Sequence, residues 1–436
     1  MEPQLEAVFG VSDDIILSYV ERPQVNQQFV LALKERRHII VYGASKQGKS
    51  SLLNRHIAPT DLIMIGSGSS MTVIDIYKSI ARQLNVRVIT SVESGTNKRT
   101  TVKAEVEFKV KVPVLGEAKL NVGGDKGTEH SDKEAYQMFE YDLHHAQDLC
   151  ELLKQLGCRK TIVLENFHYL KEEVQKTLAI DLRTFKDNGI RFIVLGIWRE
   201  RNRLAQYNGD LLDRMVEIPV EPWEREHMTK VAQQGADKLN IQFDKKLVEA
   251  LLELSFDSIG VFQEMCKEIC RANGVTERQK TTKIVSDHEI LKKAIDTKVR
   301  DYGERHIAAL RSFVQKTKKD KSNTPGLAYY LTRAVVESKF ENILHGLTRH
   351  SIEQKCRSIH PNPQKLRAAD VRRLLHGLVS HQKTRTINPP IFDYDKTSRL
   401  LKIIDSTLFF YLKHARTRVL EEIKDASTEV LETLGS

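Results

Sequence analysis

An α/β fold, a parallel sheet with helices on both faces, is predicted by three observations. Short apolar runs rich in β-branched residues recur at 38–42, 62–65, 161–164, 191–196 and 215–220. Stretches with apolar residues at helical spacing separate them, as in Val73, Ile74, Ile76, Tyr77, Ile80, Ala81 and Leu84. Residues 43–50 read Gly-Ala-Ser-Lys-Gln-Gly-Lys-Ser, directly after the first apolar run and directly before a helical segment. Strand, glycine loop and helix in that order are the context in which such a loop binds phosphate.

The elements follow from the pattern in chain order. Residues 1–36 form a lead-in whose helix starts near Val25. The first strand, 38–42, feeds the loop and opens a core spanning 37–222, with a second strand at Leu62–Ile65 and a helix at 73–84. From Val102 to Val114 apolar residues alternate with Lys103, Glu105, Glu107, Lys109 and Lys111, a period-2 strand. With Ala118–Val122 it predicts an inserted β-hairpin over 101–124. Its apolar face covers either the domain's own core or a partner. Residues 131–156 read as helices, 161–164 as a buried strand, 171–185 as a helix, and 191–196 and 215–220 as strands. Alternation of this kind makes a parallel sheet. Residues 224–275 carry helical spacing throughout and define a helical lid over 223–300, of which 276–300 is polar and connecting. Residues 301–325 read as a Lys-rich linker. The last unit, 326–436, shows helical patterns at 327–344, 351–359 and 367–381, then two short strands around Lys396-Thr397-Ser398 and a closing helix from Ser406 to Ala415, the order of a winged helix-turn-helix.

The loop chemistry assigns residues. Gly43 and Gly48 let the backbone wrap a phosphate without a Cβ in the way. Ala44, Ser45, Lys46, Gln47, Gly48, Lys49, Ser50 and Ser51 supply N–H groups and the start of a helix, both favourable to anions. Lys49 reaches toward β- and γ-phosphates, and Ser50 offers a hydroxyl to Mg²⁺. Mg²⁺ also needs a carboxylate at a neighbouring strand tip. Glu165, after 161–164, occupies that place; the plain alternative is a solvated strand-end acid. The next residue, where a second acid would polarise water, is Asn166, which orients water without accepting its proton. Arg214, ahead of the last strand, either faces the γ-phosphate of a neighbouring subunit or forms a surface ion pair. Trp198, Arg199 and Asn202 follow the 191–196 strand, near the place of a γ-phosphate sensor.

On these residues the chain resembles AAA+/STAND-type P-loop ATPases, especially the branch near origin-recognition and loader ATPases. The matching stretches are Tyr19-Val20-Glu21-Arg22-Pro23, the 43–50 loop, Ile162–Leu170 and Asp210–Met215. The resemblance implies an α/β P-loop NTPase core, ATP as cofactor with Mg²⁺, adenine stacking near Val20–Val25 with Arg22 and Val25 beside the base, and ATP-dependent homo-oligomers. The chain is also similar to stand-alone ATPases of bacterial anti-phage systems, where ATP binding gates an effector protein. Two departures stand out. Asn166 replaces the expected second acid, and Ile259–Gln263 offers no arginine where many such lids place one. Both favour a switch over a motor, and slow hydrolysis.

Composition bounds the rest. The formal net charge is +10, and the whole excess lies in residues 300–436. Such asymmetry points that region at an acidic partner. Arg367, Arg372, Arg373 and Lys383 on the predicted recognition helix, with Arg399 on the wing, suit DNA or RNA phosphates; winged helices also serve protein contacts, so a scaffold that binds nucleotide and recruits an effector is the rival. Five scattered cysteines give no disulfide framework, and Cys266 and Cys270 read as core thiols. No run of ~18 apolar residues predicts a membrane span, and the N-terminal residues lack a secretory pattern. A reduced, cytoplasmic protein is expected.

Overall fold

The computed structural model describes residues 2–12, 15–91, 107–113, 136–198, 200–286, 288–315 and 326–432. A short helix α1 (Leu5–Val8) and α2 (Pro23–Lys34) precede β1 (His38–Tyr42), and α3 (Lys49–His56) follows the loop. Then come β2 (Leu62–Gly66), α4 (Val73–Gln83), β3 (Arg87–Ser91), β4 (Glu107–Pro113), β5 (Tyr136–Glu140), α5 (Ala146–Gln155), β6 (Thr161–Glu165), α6 (Glu172–Asp187), β7 (Phe192–Gly196) and β8 (Met215–Pro219). Five of these strands form one sheet in the order β2-β6-β7-β1-β8, every pairing parallel. All five carboxyl ends therefore lie on one edge. The apolar strands are buried on both faces, as parallel strands must be. Ile40 and Tyr42 pack into the cluster with Ile76, Tyr77, Leu149 and Leu182. Ile39 and Val41, pointing the other way, pack with Phe29, Leu52 and Leu53.

The insertion differs from expectation. β4 pairs antiparallel with β3 and with β5, so it is the centre of a three-stranded sheet rather than one arm of a hairpin. The expected second arm at 118–122 lies outside the described residues. β5 also falls where helix was expected, because Tyr136–Glu140 finds a backbone ladder on β4 that local spacing does not reveal.

The lid comprises α7 (Arg225–Leu239), β9 (Ile241–Phe243), α8 (Lys245–Ser255) and α9 (Ile259–Ala272). It is not helical throughout. β9 pairs in parallel with β10 (Lys283–Val285), and the segment expected as a connector continues into the 27-residue helix α10 (His288–Val314). That helix runs past residue 301 into the expected linker; residues 316–325 lie outside the described residues. The lead-in clamps the lid. Leu5, Val8 and Phe9 join the lid's core, and Val11 N–H donates to Glu264 Oε1 at 3.0 Å. Lys298 on α10, nearly buried, meets Glu264 at 2.9 Å, Glu268 at 3.4 Å and Asp301 at 3.3 Å. Against the upward push of burial, Lys267 and Lys298 hold the Glu264 carboxyl down at about 2.

The C-terminal unit contains α11 (Leu327–Glu337), α12 (Phe340–His345), β11 (Leu347–Thr348), α13 (Arg349–Ile359), α14 (Ala368–His376), α15 (Leu378–Thr384), β12 (Phe392–Asp395), β13 (Leu400–Ile403) and α16 (Ser406–Glu432). Its sheet runs β11-β13-β12, antiparallel throughout. Two expected helices are broken. The first pattern splits at Ser338, where the backbone is extended, and the expected recognition helix splits at Gly377. The closing helix continues beyond Ala415, where the backbone departs from helical angles.

Candidate nucleotide site

The loop leaves β1 at Tyr42 and turns through Gly43, whose Cβ would sit 2.8 Å from Val220 Cγ2. Gly48, at φ +82°, adopts the left-handed conformation that starts α3. Its environment is open, with the nearest atom 3.7 Å from a Cβ, so the requirement there is backbone conformation and not space. Lys46 also has positive φ, +63°. It is held by the lid: a Cβ on Gly260 would lie 2.6 Å from Lys46 Cβ and 2.7 Å from its carbonyl oxygen. Gln47 ties the same two parts together. Its amide nitrogen donates to Ser258 Oγ at 3.0 Å, its amide oxygen accepts from Ile259 N–H at 3.3 Å, and its backbone carbonyl accepts from Trp223 Nε1 at 3.3 Å.

One cleft gathers the loop from Ser45 to Ser51, Glu165, Asn166 and His168 from the end of β6, Leu195–Ile197 from the end of β7, Val20 and Arg22 from the lead-in, Trp223, and Val231, Ile259, Gly260 and Gln263 from the lid. The all-parallel sheet brings these together, since β1, β6 and β7 end on the same edge. Arg22 is buried; its NH1 donates to Val220 O at 2.8 Å and its guanidinium lies 3.9 Å from the Trp223 ring centre. Burial lowers its pKa to about 10. Lys49 Nζ donates to the carbonyls of Gly43 at 3.2 Å and Ala44 at 2.6 Å. Burial pulls this ammonium down to about 8, with Glu221 opposing. An ammonium so poised gains from any phosphate that enters. Asn166 has φ +55°, a conformation Asn adopts several times more readily than most residues, and its carbonyl accepts from Tyr169 N–H at 2.9 Å.

Several expected site residues stand elsewhere. Val25 packs with Phe29 on the inner face of α2, outside the cleft. The helix begins at Pro23, which turns residue 25 toward the sheet. Gly43 and Ala44 lie buried beneath the loop and do not line the cleft, with Ala44 N–H donating to Glu221 Oε1 at 3.1 Å. Trp198 is fully buried and stacks on Tyr42 at 6.1 Å, a core residue. Asn202 N–H is bound to Glu217, and Arg199 lies outside the described residues. Arg214 is at the opposite edge of the sheet. Its carbonyl accepts from His38 N–H at the start of β1, and its side chain meets Asp187 at 3.3 Å and the Asp210 carbonyl at 3.0 Å. Five strand residues at ~3.3 Å each separate it from the cleft.

The basic set at the C-terminal end is also divided. Arg367, Arg372, Arg373 and Arg399 are exposed, and Arg373 reaches Asp370 at 3.3 Å. Lys383, half-buried, turns toward the core instead: its ammonium donates to the Leu170 carbonyl. Burial, with Arg203 nearby, lowers it to about 8. His168, Trp223 and the lid residues of the cleft escaped sequence reasoning. Only the stretch Glu165–Leu170 hinted at His168, and nothing local places Trp223 or Gly260 at the loop.

The site accommodates a nucleotide with Mg²⁺. Ser50 and Glu165 both line the cleft and are the oxygen donors that would hold the metal, and the loop N–H groups with Lys49 would meet the phosphates. Among the described residues no grouping of three or more His, Cys, Asp or Glu could hold a metal ion. A glycine loop closing β1, an acidic tip on β6, one strand between them and a helical lid over the loop define an α/β P-loop NTPase fold.

No family model and no curated protein matches the chain. Among solved structures it is similar to a Walker-type ATPase of Pyrococcus abyssi, at 15% identity over 91% of this chain and 96% of that one, with a TM-score of 0.48. It is similar to the Aeropyrum pernix Orc1 protein in complex with DNA, at 13% identity, 99% and 98% coverage and a TM-score of 0.41. Cdc6p from Pyrobaculum aerophilum aligns at 12% identity over 96% and 98%, with a TM-score of 0.39.

Proposed function

We propose that this chain is a cytoplasmic ATP·Mg²⁺-binding regulatory ATPase of the AAA+/STAND kind, a switch with slow turnover that assembles with ATP and acts on nucleic acid or gates an effector. Bacterial anti-phage defence is the setting that the sequence resemblance suggests. The observation that carries the nucleotide reading is the single cleft in which Lys49, Ser50 and Glu165 meet beneath Arg22, Trp223 and the lid. Lys49 holds the β/γ-phosphates, and Ser50 with Glu165 holds Mg²⁺, which when bound neutralises phosphate charge. Arg22 and Val20 wall the base. Asn166 orients water but takes no proton, which keeps turnover slow. Arg214, remote from its own cleft, serves a neighbouring subunit.

The lid and the C-terminal unit are wired to this loop. Gln47 and Gly260 fix loop to lid, Lys298 fixes lid to α10, and Lys383 fixes the winged helix to the core. Nucleotide that shifts the loop therefore has a path to the basic face carrying Arg367, Arg372 and Arg399. The test is particle mass with ATP, with ADP and with neither, each with and without duplex DNA. Growth in mass with ATP alone supports the switch. An unchanged monomer in every condition refutes assembly. The rival is a nucleotide-bound scaffold that recruits a protein through its winged helix.

A further inference from the structure

His168 is buried, 5% exposed, and lies on the cleft wall. It sits in a short 3₁₀ turn, Phe167–Tyr169, directly after the acidic tip of β6. The turn is held from behind. Buried Gln175 donates from its amide nitrogen to the Leu170 carbonyl at 2.9 Å and the Phe167 carbonyl at 3.4 Å, and Lys383 caps the Leu170 carbonyl as well. The ring position is thus set by the protein before any ligand arrives.

The ring's two nitrogens have different fates. Nδ1 accepts from Ile197 N–H at 3.3 Å, just past the end of β7. A nitrogen that accepts carries no proton, so in the neutral ring the proton is on Nε2. Nε2 has no hydrogen-bond partner among the described residues. Burial and the charges of Lys49, Arg203 and Lys383 push the ring's pKa down to about 3, so it stays neutral at every working pH. A buried donor left unmade costs about 1–3 kcal/mol, and cations crowd around it. Both facts ask for an anionic acceptor.

Position selects which anion. β6 is two strands from β1, and adjacent strands are ~4.8 Å apart. A nucleotide seated on the loop at the end of β1 extends its outermost phosphate toward β7 and β6, where His168 bridges the two tips. We propose that His168 donates its Nε2–H to the terminal phosphate of a bound nucleoside triphosphate, and that this bond makes the cleft prefer triphosphate over diphosphate. The inference rests on the cleft being the nucleotide site.

The test uses the full chain with Mg²⁺ and compares ATP with ADP affinity. His168→Asn keeps an acceptor near the backbone for Ile197 N–H and removes the distal donor. His168→Gln places an amide N–H where Nε2–H lies. Expected is a roughly 10- to 100-fold loss of ATP affinity in His168→Asn, as for a hydrogen bond to a charged group, with ADP affinity changed less than about twofold. His168→Gln should recover most of the preference. Wild-type ATP affinity in His168→Asn, or equal loss of both nucleotides, overturns the proposal. If His168→Asn does not fold, His168→Gln decides: a retained preference supports the donor role and a lost one refutes it. Lys49→Ala separates this failure from that of the site itself. If Lys49→Ala abolishes binding while His168→Asn changes nothing, only the His168 role falls; if Lys49→Ala binds nucleotide normally, the nucleotide site falls with it.

Discussion

The phosphate-loop core and the C-terminal unit are both rich in cations, and the structure treats them differently. In the core, Lys46, Lys49 and Arg22 converge on one cleft with Glu165. In the C-terminal unit, Arg367 at the start of α14, Arg372 within it and Arg399 just before β13 stand exposed, Arg373 meets Asp370, and Lys383 docks into the core. The difference lies in what fixes each side chain. The loop cations are tied to a backbone path that strand, glycines and helix impose locally. The basic residues of the winged helix are fixed only by which face of a helix meets a neighbour, and charge alone does not decide that.

The sharpest way to break the comparison is Lys49→Ala. Removing the ammonium aimed at the phosphates should weaken ATP by ~100-fold or more, the size of lost charge-assisted bonds, read by nucleotide titration. Unchanged affinity would place the core's cations on a par with the scattered ones.

A pH series tests the same group. Lys49 titrates near 8 in the free protein against an ordinary 10.5. Bound phosphate favours the charged form and raises that value. Affinity should therefore be flat below pH 8 and fall by about tenfold per pH unit above it, until the bound-state pKa is reached. The stability effect has the opposite sign. A lysine depressed in the fold costs stability below pH 8, and that cost fades as pH rises toward 10.5. Lys49→Arg should abolish both dependences.

Gly260→Ala probes the lid contact. A Cβ 2.6 Å from Lys46 Cβ must displace loop or lid, costing about 1–3 kcal/mol as overpacking does and weakening nucleotide. Gly66→Ala, with nothing within 4 Å of its Cβ, is the control in thermal melts.

Asn166→Asp should raise a basal turnover that starts below the ~10 s⁻¹ enzyme median. Asp shares Asn's tolerance of the left-handed backbone, whereas Glu carries a strain of about 1–2 kcal/mol there. A wild type already at that median would sink the switch reading.

The smallest effects belong to the winged helix. Alanine at Arg367, Arg372 or Arg399 should each reduce the slope of log duplex affinity against log salt by about one. Lys383→Ala should leave the slope alone and instead lower the melting temperature, because its bond is to Leu170. A slope change at Lys383 would show that it leaves the core to bind DNA.

Much of the core was legible in the sequence. The five sheet strands, the loop and α3 were expected within a residue or two, because β-branched runs and glycine spacing act locally. The insertion and the lid were less legible. β5 forms only because β4 offers a ladder, β9 only because β10 lies beside it, and α10 extends through a polar stretch that packing against α9 and α16 stabilises. The breaks at Ser338 and Gly377 interrupt patterns that periodicity joined.

The sequence by itself determined the phosphate loop, the acidic strand tip and the absence of a second acid beside it, since each is a short-range pattern of backbone and side-chain chemistry. Only the tertiary structure decided that Gly260 and Trp223 meet the loop, that Lys383 faces the core, that Arg214 lies at the far edge of the sheet and that His168 Nε2 finds no partner among the described residues. These depend on strand order and on contacts between residues tens to hundreds of positions apart, which the linear pattern does not encode.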